Sequence, residues 1–143
     1  MRKFLFLLIL GFSQIVFSES SKSDKDLYDL QDKCRKTTES EFRKEWGSNG
    51  TVNDKETLMI SNYTNHYNKK HNECFYLLTT NSYPKQKKSN GITQMISLWD
   101  IQENKNYGEF DSLANKVFIC KVGEFSCGNK KEFEALLVPF MND

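Results

Sequence analysis

The sequence predicts an α+β domain in which an antiparallel sheet of four or five strands is flanked by an N-terminal and a C-terminal helix. Three observations predict this fold. Apolar residues recur at helical spacing in the first and last thirds of the chain, β-branched and aromatic runs separated by turns lie between them, and there are four cysteines. Residues 19–143 would form this single domain, after a signal peptide at residues 1–18. An all-β barrel with peripheral helices is the alternative.

The chain begins with a segment typical of an export signal. Arg2 and Lys3 form a positive start, an apolar core follows from Phe4 to Phe17, and Ser18 precedes a charged, Ser-rich stretch. We expect cleavage near Ser18 and a soluble exported protein, periplasmic or secreted, with no membrane span after cleavage. Cleavage would remove two of the 20 basic side chains, which leaves 18 basic and 19 acidic ones. The resulting net charge near zero disfavours nucleic acid as a partner.

The first predicted element is a helix from Asp24 to Trp46. Ser23 followed by Asp26 resembles a capping box, and Gly47 can end the helix. One stripe of apolar positions recurs at helical spacing, with Thr38 filling the gap: Leu27, Leu30, Cys34, Phe42 and Trp46.

The cysteines predict two disulfides, because an even number of cysteines in an exported chain is typical of a disulfide-bonded domain. Cys34, Cys74, Cys120 and Cys127 include no pair with the short spacing of zinc ligands, and no Cys-x-x-Cys motif occurs. Of the three possible pairings we favour Cys34 with Cys74 and Cys120 with Cys127. The first would tie the helix to the sheet, and the second would close a short loop before the last helix.

Five segments rich in β-branched and aromatic residues predict the strands of an antiparallel meander. A polar hairpin turn is expected at 65–72, and an exposed loop containing Pro84 and several lysines at 81–91. The predicted strands cover residues 57–64, 73–80, 92–102, 106–110 and 116–122.

A second helix is predicted after Asn129, which has Glu132 three residues on, as in a capping box. The helix would be kinked or ended near Pro139. Each helix and the sheet need one apolar face covered, so a two-layer domain would bury all three surfaces. The apolar stripe of this helix contains Phe133, Leu136, Leu137, Phe140 and Met141.

The candidate binding surface is Tyr63, His66, Tyr67, Asn68 and Lys70, in a segment that holds both histidines together with tyrosines, amides and lysines. Aromatic rings and amides suit mixed apolar and polar contacts with a peptide, a glycan or a partner protein. Three alternatives stay open. The side chains could serve only the hairpin and the sheet, His66 could act as a general base, or the histidines could hold a metal.

No metal or cofactor is expected from this segment. His66, His71 and Glu73 match none of the short helical zinc motifs. Four carboxylates near a strand turn, Asp100, Glu103, Glu109 and Asp111, are expected to be solvated, although a pair at the right separation could serve a glycosidase. The lysines at 69, 70, 85, 87 and 88 could form a patch for anionic envelope polymers, or could simply be solvated.

Two short motifs of the chain are Gln31 with Cys34, and His66-Tyr67-Asn68 with Lys70 and Cys74-Phe75. They resemble segments of small exported bacterial proteins of unassigned function, and the similarity extends over most of the mature chain, to Glu132-Phe133. The resemblance implies a bacterial, periplasmic setting, and it implies no activity, cofactor or catalytic residue.

The expected function is therefore that of a non-catalytic binding or interaction module of the cell envelope or the extracellular space. Its partner is unknown, with an envelope protein, a peptide or a glycan as the classes that fit the candidate surface. The alternative is a small secreted hydrolase that uses His66 as a general base with a nearby carboxylate.

Overall fold

The computed structural model describes residues 23–86 and 91–143, so the predicted signal peptide lies outside the described residues. The described part contains two helices and seven strands. In chain order the elements are α1 (Asp24–Trp46), β1 (Thr51–Asn53), β2 (Thr57–Asn68), β3 (Glu73–Pro84), β4 (Thr93–Asp100), β5 (Lys105–Leu113), β6 (Lys116–Val122), β7 (Phe125–Ser126) and α2 (Lys130–Met141).

The strands form one antiparallel meander in the order β1-β2-β3-β4-β5-β6-β7. The α+β class, the two flanking helices and the two disulfides are confirmed, but the predicted number of four or five strands is wrong. The five predicted segments correspond to β2 through β6. The additional strands, β1 and β7, have three and two residues, which is too short for an alternating pattern to show in sequence.

Strands β2 and β3 are longer than their composition indicated. Strand β2 runs to Asn68 and β3 begins at Glu73, so the hairpin turn is four residues rather than the predicted eight. Polar residues continue these strands because their side chains form hydrogen bonds inside the protein, as that of Asn68 does. Strand β3 also runs to Pro84, into the segment predicted as a loop, whose residues 87–90 lie outside the described part.

The two helices cover opposite faces of the sheet, so the predicted two-layer arrangement is wrong. Cys74 packs in a cluster with Cys34 of α1, whereas Phe75 packs in the main core with Phe133 of α2. Consecutive residues of a strand point to opposite faces. The sheet is therefore the middle of three layers, with α1 over β2 and β3 on one side and α2 on the other.

Local capping signals position both helices as predicted. The Ser23 hydroxyl accepts a hydrogen bond from the backbone N–H of Asp26, and Gly47 ends α1 with a positive φ of 72°. At α2, the Asn129 side chain accepts from the N–H of Glu132, whose carboxylate accepts from the N–H of Gly128. These bonds satisfy backbone donors that a helix start leaves without internal partners.

Both favoured disulfides are confirmed. Cys34 is bonded to Cys74 with their Cα atoms 5.4 Å apart, and Cys120 to Cys127 with Cα atoms 5.0 Å apart. Both distances lie within the usual range for disulfides. The first bond joins α1 to the start of β3, and the second joins β6 to the segment that leads into α2.

Gly50 is expected to be the least replaceable residue of the α1–β1 turn. It has φ of +63°, and an added Cβ would overlap the Ser61 carbonyl oxygen and lie 2.8 Å from Cζ of Phe42. We expect Gly50→Ala to lower the free energy of unfolding by about 3 kcal/mol, through a strained backbone and overpacking. Urea denaturation measures this loss.

Gly47→Ala is the matched control for this substitution. Gly47 has a similar φ of +72°, but nothing lies within 4 Å of its added Cβ. This variant should lose only about 1 kcal/mol, the cost of a left-handed backbone for a residue with a Cβ. Equal losses of stability in the two variants would show that the close contacts at Gly50 do not add to the cost of the substitution.

Candidate functional site

The five residues of the predicted surface do not share one face of the protein. Tyr63 and Tyr67 lie on the side of α1, where the Tyr63 ring is 4.6 Å from that of Phe42 between centroids. His66 and Asn68 lie on the opposite side, as neighbouring positions of a strand must. Lys70 is exposed in the hairpin turn. Use of these residues as a binding surface stays a prediction.

Asn68 is fully buried and joins the β2–β3 hairpin to the end of α2. Its Nδ2 donates to the carbonyl oxygens of Pro139, Phe140 and Asn142 at 3.0, 3.1 and 3.2 Å. Its Oδ1 accepts from the backbone N–H groups of the turn, including that of Lys70 at 3.0 Å. One amide thus satisfies helix-end carbonyls and turn amides, which explains why a polar residue is tolerated here.

The hydrogen bonds of Asn68 form a clamp between the hairpin turn and the end of α2. The two histidines occupy different environments near this clamp. His66 Nε2 lies 3.3 Å from Oδ1 of Asp143, the last residue of the sequence. The His71 ring stacks on Phe140 with centroids 5.6 Å apart. Within residues 23–86 and 91–143, no group of three His, Cys, Asp or Glu side chains is placed to hold a metal ion.

A concave surface of the described residues lies away from the hairpin, on the α1 side of the sheet, and we call it the α1-side groove. It consists of two adjoining cavities of about 380 and 210 Å³ that share Leu78, Ser97 and Trp99. Tyr76 and Met95 extend this floor, since they pair in register with Trp99 and Thr80 respectively. From Trp99 to Met95 the floor runs along β4 for about 14 Å, at about 3.4 Å per residue.

The walls of the α1-side groove come from two distant parts of the chain. Glu41, Glu45 and Trp46 form the wall that belongs to α1, and Glu109 and Asp111 form the wall that belongs to β5. The groove exists because α1 covers β2 and β3 but leaves the same face of β4 and β5 open.

The charged lining of the α1-side groove is acidic throughout. In the described part of the chain, the charged side chains that line it are the four Asp and Glu residues of the walls, and none is Lys, Arg or His. Asp100 also borders the groove, but its side chain lies on the opposite face of β4 from that of Trp99. Two of these carboxylates have exposed basic partners that do not line the groove: Lys44 is 3.7 Å from Glu41, and Lys121 is 4.0 Å from Glu109. Such exposed pairs contribute little energy and leave the groove electronegative.

Three groove residues carry buried polar atoms with no hydrogen-bond partner in the described part of the chain. They are the hydroxyl of Tyr76, Nε1 of Trp46 and Oδ1 of Asp111. Tyr76 is only 5% exposed. Leaving a buried polar group unpaired costs about 1–3 kcal/mol, so three of them in one groove is unusual for surfaces that serve packing alone.

The groove environment also perturbs the Tyr76 phenol. Burial raises its pKa well above the ordinary range, and the negative charges of Glu45 and Glu41 and the neighbouring Tyr63 add to the effect. The raised pKa keeps the phenol protonated and able to donate or accept a hydrogen bond at any physiological pH.

Tyr76→Phe is expected to leave the stability at neutral pH unchanged or raised by about 1 kcal/mol, because it removes an unpaired buried hydroxyl. In the native protein the folded-state pKa is the higher one, so stability is lost as pH rises above about 10, the ordinary phenol pKa. The variant should lack this component of alkaline destabilisation. Urea melts at neutral and alkaline pH measure both effects.

Tyr28→Phe is the control for this prediction, since Tyr28 is 67% exposed on α1. Its alkaline stability profile should match that of the native protein. A Tyr76→Phe variant that was clearly less stable at neutral pH would mean that the hydroxyl has a protein partner after all.

Sequence reasoning missed this groove. Asp100, Glu109 and Asp111 were expected to be solvated, and for Asp100 this is wrong, because it is only 1% exposed. Its Oδ1 accepts from the N–H of Gln102 at 2.9 Å. The alternation along β4, with Met95, Ser97 and Trp99 on one face, was the only available signal.

The fold and the groove define the class of this protein as a small three-layer α+β domain with an acidic, aromatic-floored groove. No protein-family model matches the chain, and neither a curated protein nor a solved structure is significantly similar to it.

Proposed function

We propose that this protein is a small exported, disulfide-stapled domain that acts without catalysis, by binding a partner in the cell envelope or the extracellular space. The observation that carries this proposal is the α1-side groove. It combines an open apolar floor with polar groups that have no partner in the protein, which is the usual composition of a binding site.

Export is supported by the sequence pattern at residues 1–18 and is compatible with the two disulfides, since such bonds persist in oxidising compartments. No helix in the described part of the chain is long and apolar enough to cross a membrane. The partner classes that we propose are an envelope protein, a peptide or a glycan.

We assign the binding role to the α1-side groove in preference to the hairpin surface. Tyr67 and Asn68 are 4% and 0% exposed, and Asn68 already uses its amide inside the protein. The groove, in contrast, leaves Met95 exposed and Trp99 partly exposed, with Glu41 and Glu45 of α1 lining one of its cavities and Glu109 and Asp111 of β5 lining the other.

The intact mass of the naturally exported protein, before and after thiol alkylation, tests the export and disulfide parts of the proposal. We expect a chain that begins at Glu19 and gains no mass on alkylation. A chain that retains Met1, or one that alkylates without prior reduction, would contradict the exported, stapled state.

Site-specific photocrosslinking tests the binding part. A benzophenone side chain replaces Met95 in the groove or, as the matched control, Val138 on the outer face of α2; these positions are 43% and 50% exposed. In exporting cells we expect a discrete product from position 95 only, which Trp99→Ala suppresses. Equal products from both positions, or none from position 95, would contradict binding through the groove.

A hydrolase that uses His66 is the second candidate, and the bond of 3.3 Å between His66 and Asp143 favours it. A carboxylate at this distance can orient an imidazole for general-base catalysis. Hydrolysis of chromogenic ester, peptide and glycoside substrates by the native protein, abolished in His66→Ala, would support this candidate. No hydrolysis by the native protein would count against it.

A further inference from the structure

We propose that the α1-side groove binds an extended, basic segment of a protein partner, with lysine or arginine side chains directed at its acidic walls and the peptide backbone lying over its floor. This inference rests on the proposed function, in which the same groove is the binding site, and it specifies the chemistry of the ligand.

Charge complementarity is the first argument. The wall of α1 contributes Glu41 and Glu45, the wall of β5 contributes Glu109 and Asp111, and no lining side chain among the described residues is basic. A cationic side chain placed against either wall would form charge-assisted hydrogen bonds, which are about twice as strong as neutral ones. An anionic or acidic partner would be repelled from both sides.

The unpaired polar atoms are the second, independent argument. Tyr76, which is more than nine-tenths buried, lines the groove with a hydroxyl that has no partner among the described residues. Its oxygen and Oδ1 of Asp111 can accept from ammonium or guanidinium groups, which only donate. Nε1 of Trp46 is also unpaired and can only donate, so it needs an acceptor such as a peptide carbonyl.

This combination favours a peptide over a small polyamine. A polyamine supplies donors for Tyr76 and Asp111 but has no acceptor for the Trp46 N–H, whereas a basic peptide supplies both. The floor also fits a peptide, because its length of about 14 Å corresponds to about four extended residues. Trp99 offers an aromatic face for a cation or an apolar side chain between the charges.

The intrinsic fluorescence of the protein reports directly on this site. The chain has two tryptophans, Trp46 and Trp99, and both line the groove. The probe is the acetylated, amidated peptide Lys-Leu-Lys-Leu-Lys, titrated into the oxidised mature protein at low salt. The comparison probes are Glu-Leu-Glu-Leu-Glu, Ser-Leu-Ser-Leu-Ser and spermidine.

We expect saturable quenching or a spectral shift with the lysine peptide, weaker binding at high salt, and binding at least tenfold weaker for all three comparison probes. The double variant Glu45→Gln/Glu109→Gln should bind the lysine peptide roughly tenfold more weakly. Its matched control, Glu56→Gln/Glu134→Gln, removes the same charge from exposed positions outside the groove and should bind within about twofold of the native protein.

The outcomes separate this inference from the proposed function. Binding of the serine or glutamate peptide as strong as that of the lysine peptide would overturn the basic-ligand inference but retain the groove as a binding site. Tighter binding of spermidine would overturn the peptide part. If no probe changes the tryptophan emission while the position-95 crosslink forms, the inference fails and the proposed function stands.

Discussion

Replacing Cys34 and Cys74 together with alanine is expected to lower the free energy of unfolding by about 4 kcal/mol, and to affect the protein more than removal of the second disulfide. By chain entropy, a bond that closes a loop of about 41 residues stabilises by about 4 kcal/mol, whereas a loop of about 8 residues gives about 2.5 kcal/mol. The larger figure is a substantial part of the stability of an ordinary domain.

The location of the first disulfide adds to this difference. Cys34 and Cys74 are 1% and 0% exposed and pack with Tyr67 in a small cluster under α1. The bond is a covalent cross-link between the α1 layer and the sheet. Without it, the helix that supplies one acidic wall of the α1-side groove is held by Thr38, Phe42 and a few partly buried side chains alone.

Urea denaturation of the two double variants, Cys34→Ala/Cys74→Ala and Cys120→Ala/Cys127→Ala, measures the ranking without leaving a free thiol in either. The first variant should also lose affinity for the basic peptide under conditions where it is still folded. A larger loss of stability in the second variant would show that the disulfide near α2 controls folding.

The helices and the disulfides could be predicted because their signals are local or few. Ser23 and Asn129 each place a side-chain acceptor three residues before a backbone donor, and such short-range geometry can be read from the sequence. Predicting the three layers also requires knowing which helix covers which face of the sheet. The run from Cys74 to Leu78 is apolar at every position, which indicates a strand buried on both faces, yet periodicity alone does not say which helix covers which face.

The α1-side groove could not be predicted, because its walls meet only in three dimensions. Glu45 and Glu109 are far apart in sequence, and each alone reads as a solvated surface charge. Asp100 shows the same difficulty, since nothing near it in the chain indicates that its carboxylate would be buried. For the groove, the position of α1 over β3, which long-range packing decides, brings the two walls together.

Asn68 shows the opposite case, since the sequence marks it as a candidate binding residue and the structure gives it an internal role. Its Nδ2 donates to three carbonyl oxygens at the end of α2, and its Oδ1 accepts from two N–H groups of the hairpin turn. The position needs a donor on one side and an acceptor on the other, and the Asn68 amide supplies both.

Asn68→Asp is therefore expected to destabilise the protein by about 3 kcal/mol or more at neutral pH. The substitution keeps the shape of the side chain but replaces its amide nitrogen with a carboxylate oxygen. In the native protein that nitrogen lies 3.0–3.2 Å from the carbonyl oxygens of Pro139, Phe140 and Asn142. The oxygen that replaces the amide nitrogen faces only acceptors, so it loses its solvation without compensation.

The loss should depend on pH in a defined direction. Burial and the three carbonyls would raise the pKa of the introduced carboxyl in the folded state above its unfolded value of about 4. A group with a raised folded pKa stabilises below the unfolded pKa and loses that contribution as pH rises. The variant should therefore be closest to the native protein near pH 4, where the protonated acid can donate to one carbonyl.

Asn62→Asp supplies the control, because Asn62 is exposed on the same strand and the substitution changes the charge by the same amount. Its stability should differ from that of the native protein by about 0.5 kcal/mol or less at either pH. If Asn68→Asp were equally harmless but weakened partner binding, Asn68 would belong to a binding surface at the hairpin. A large, pH-dependent loss of stability with groove binding retained would assign Asn68 to the clamp that holds α2 on the sheet.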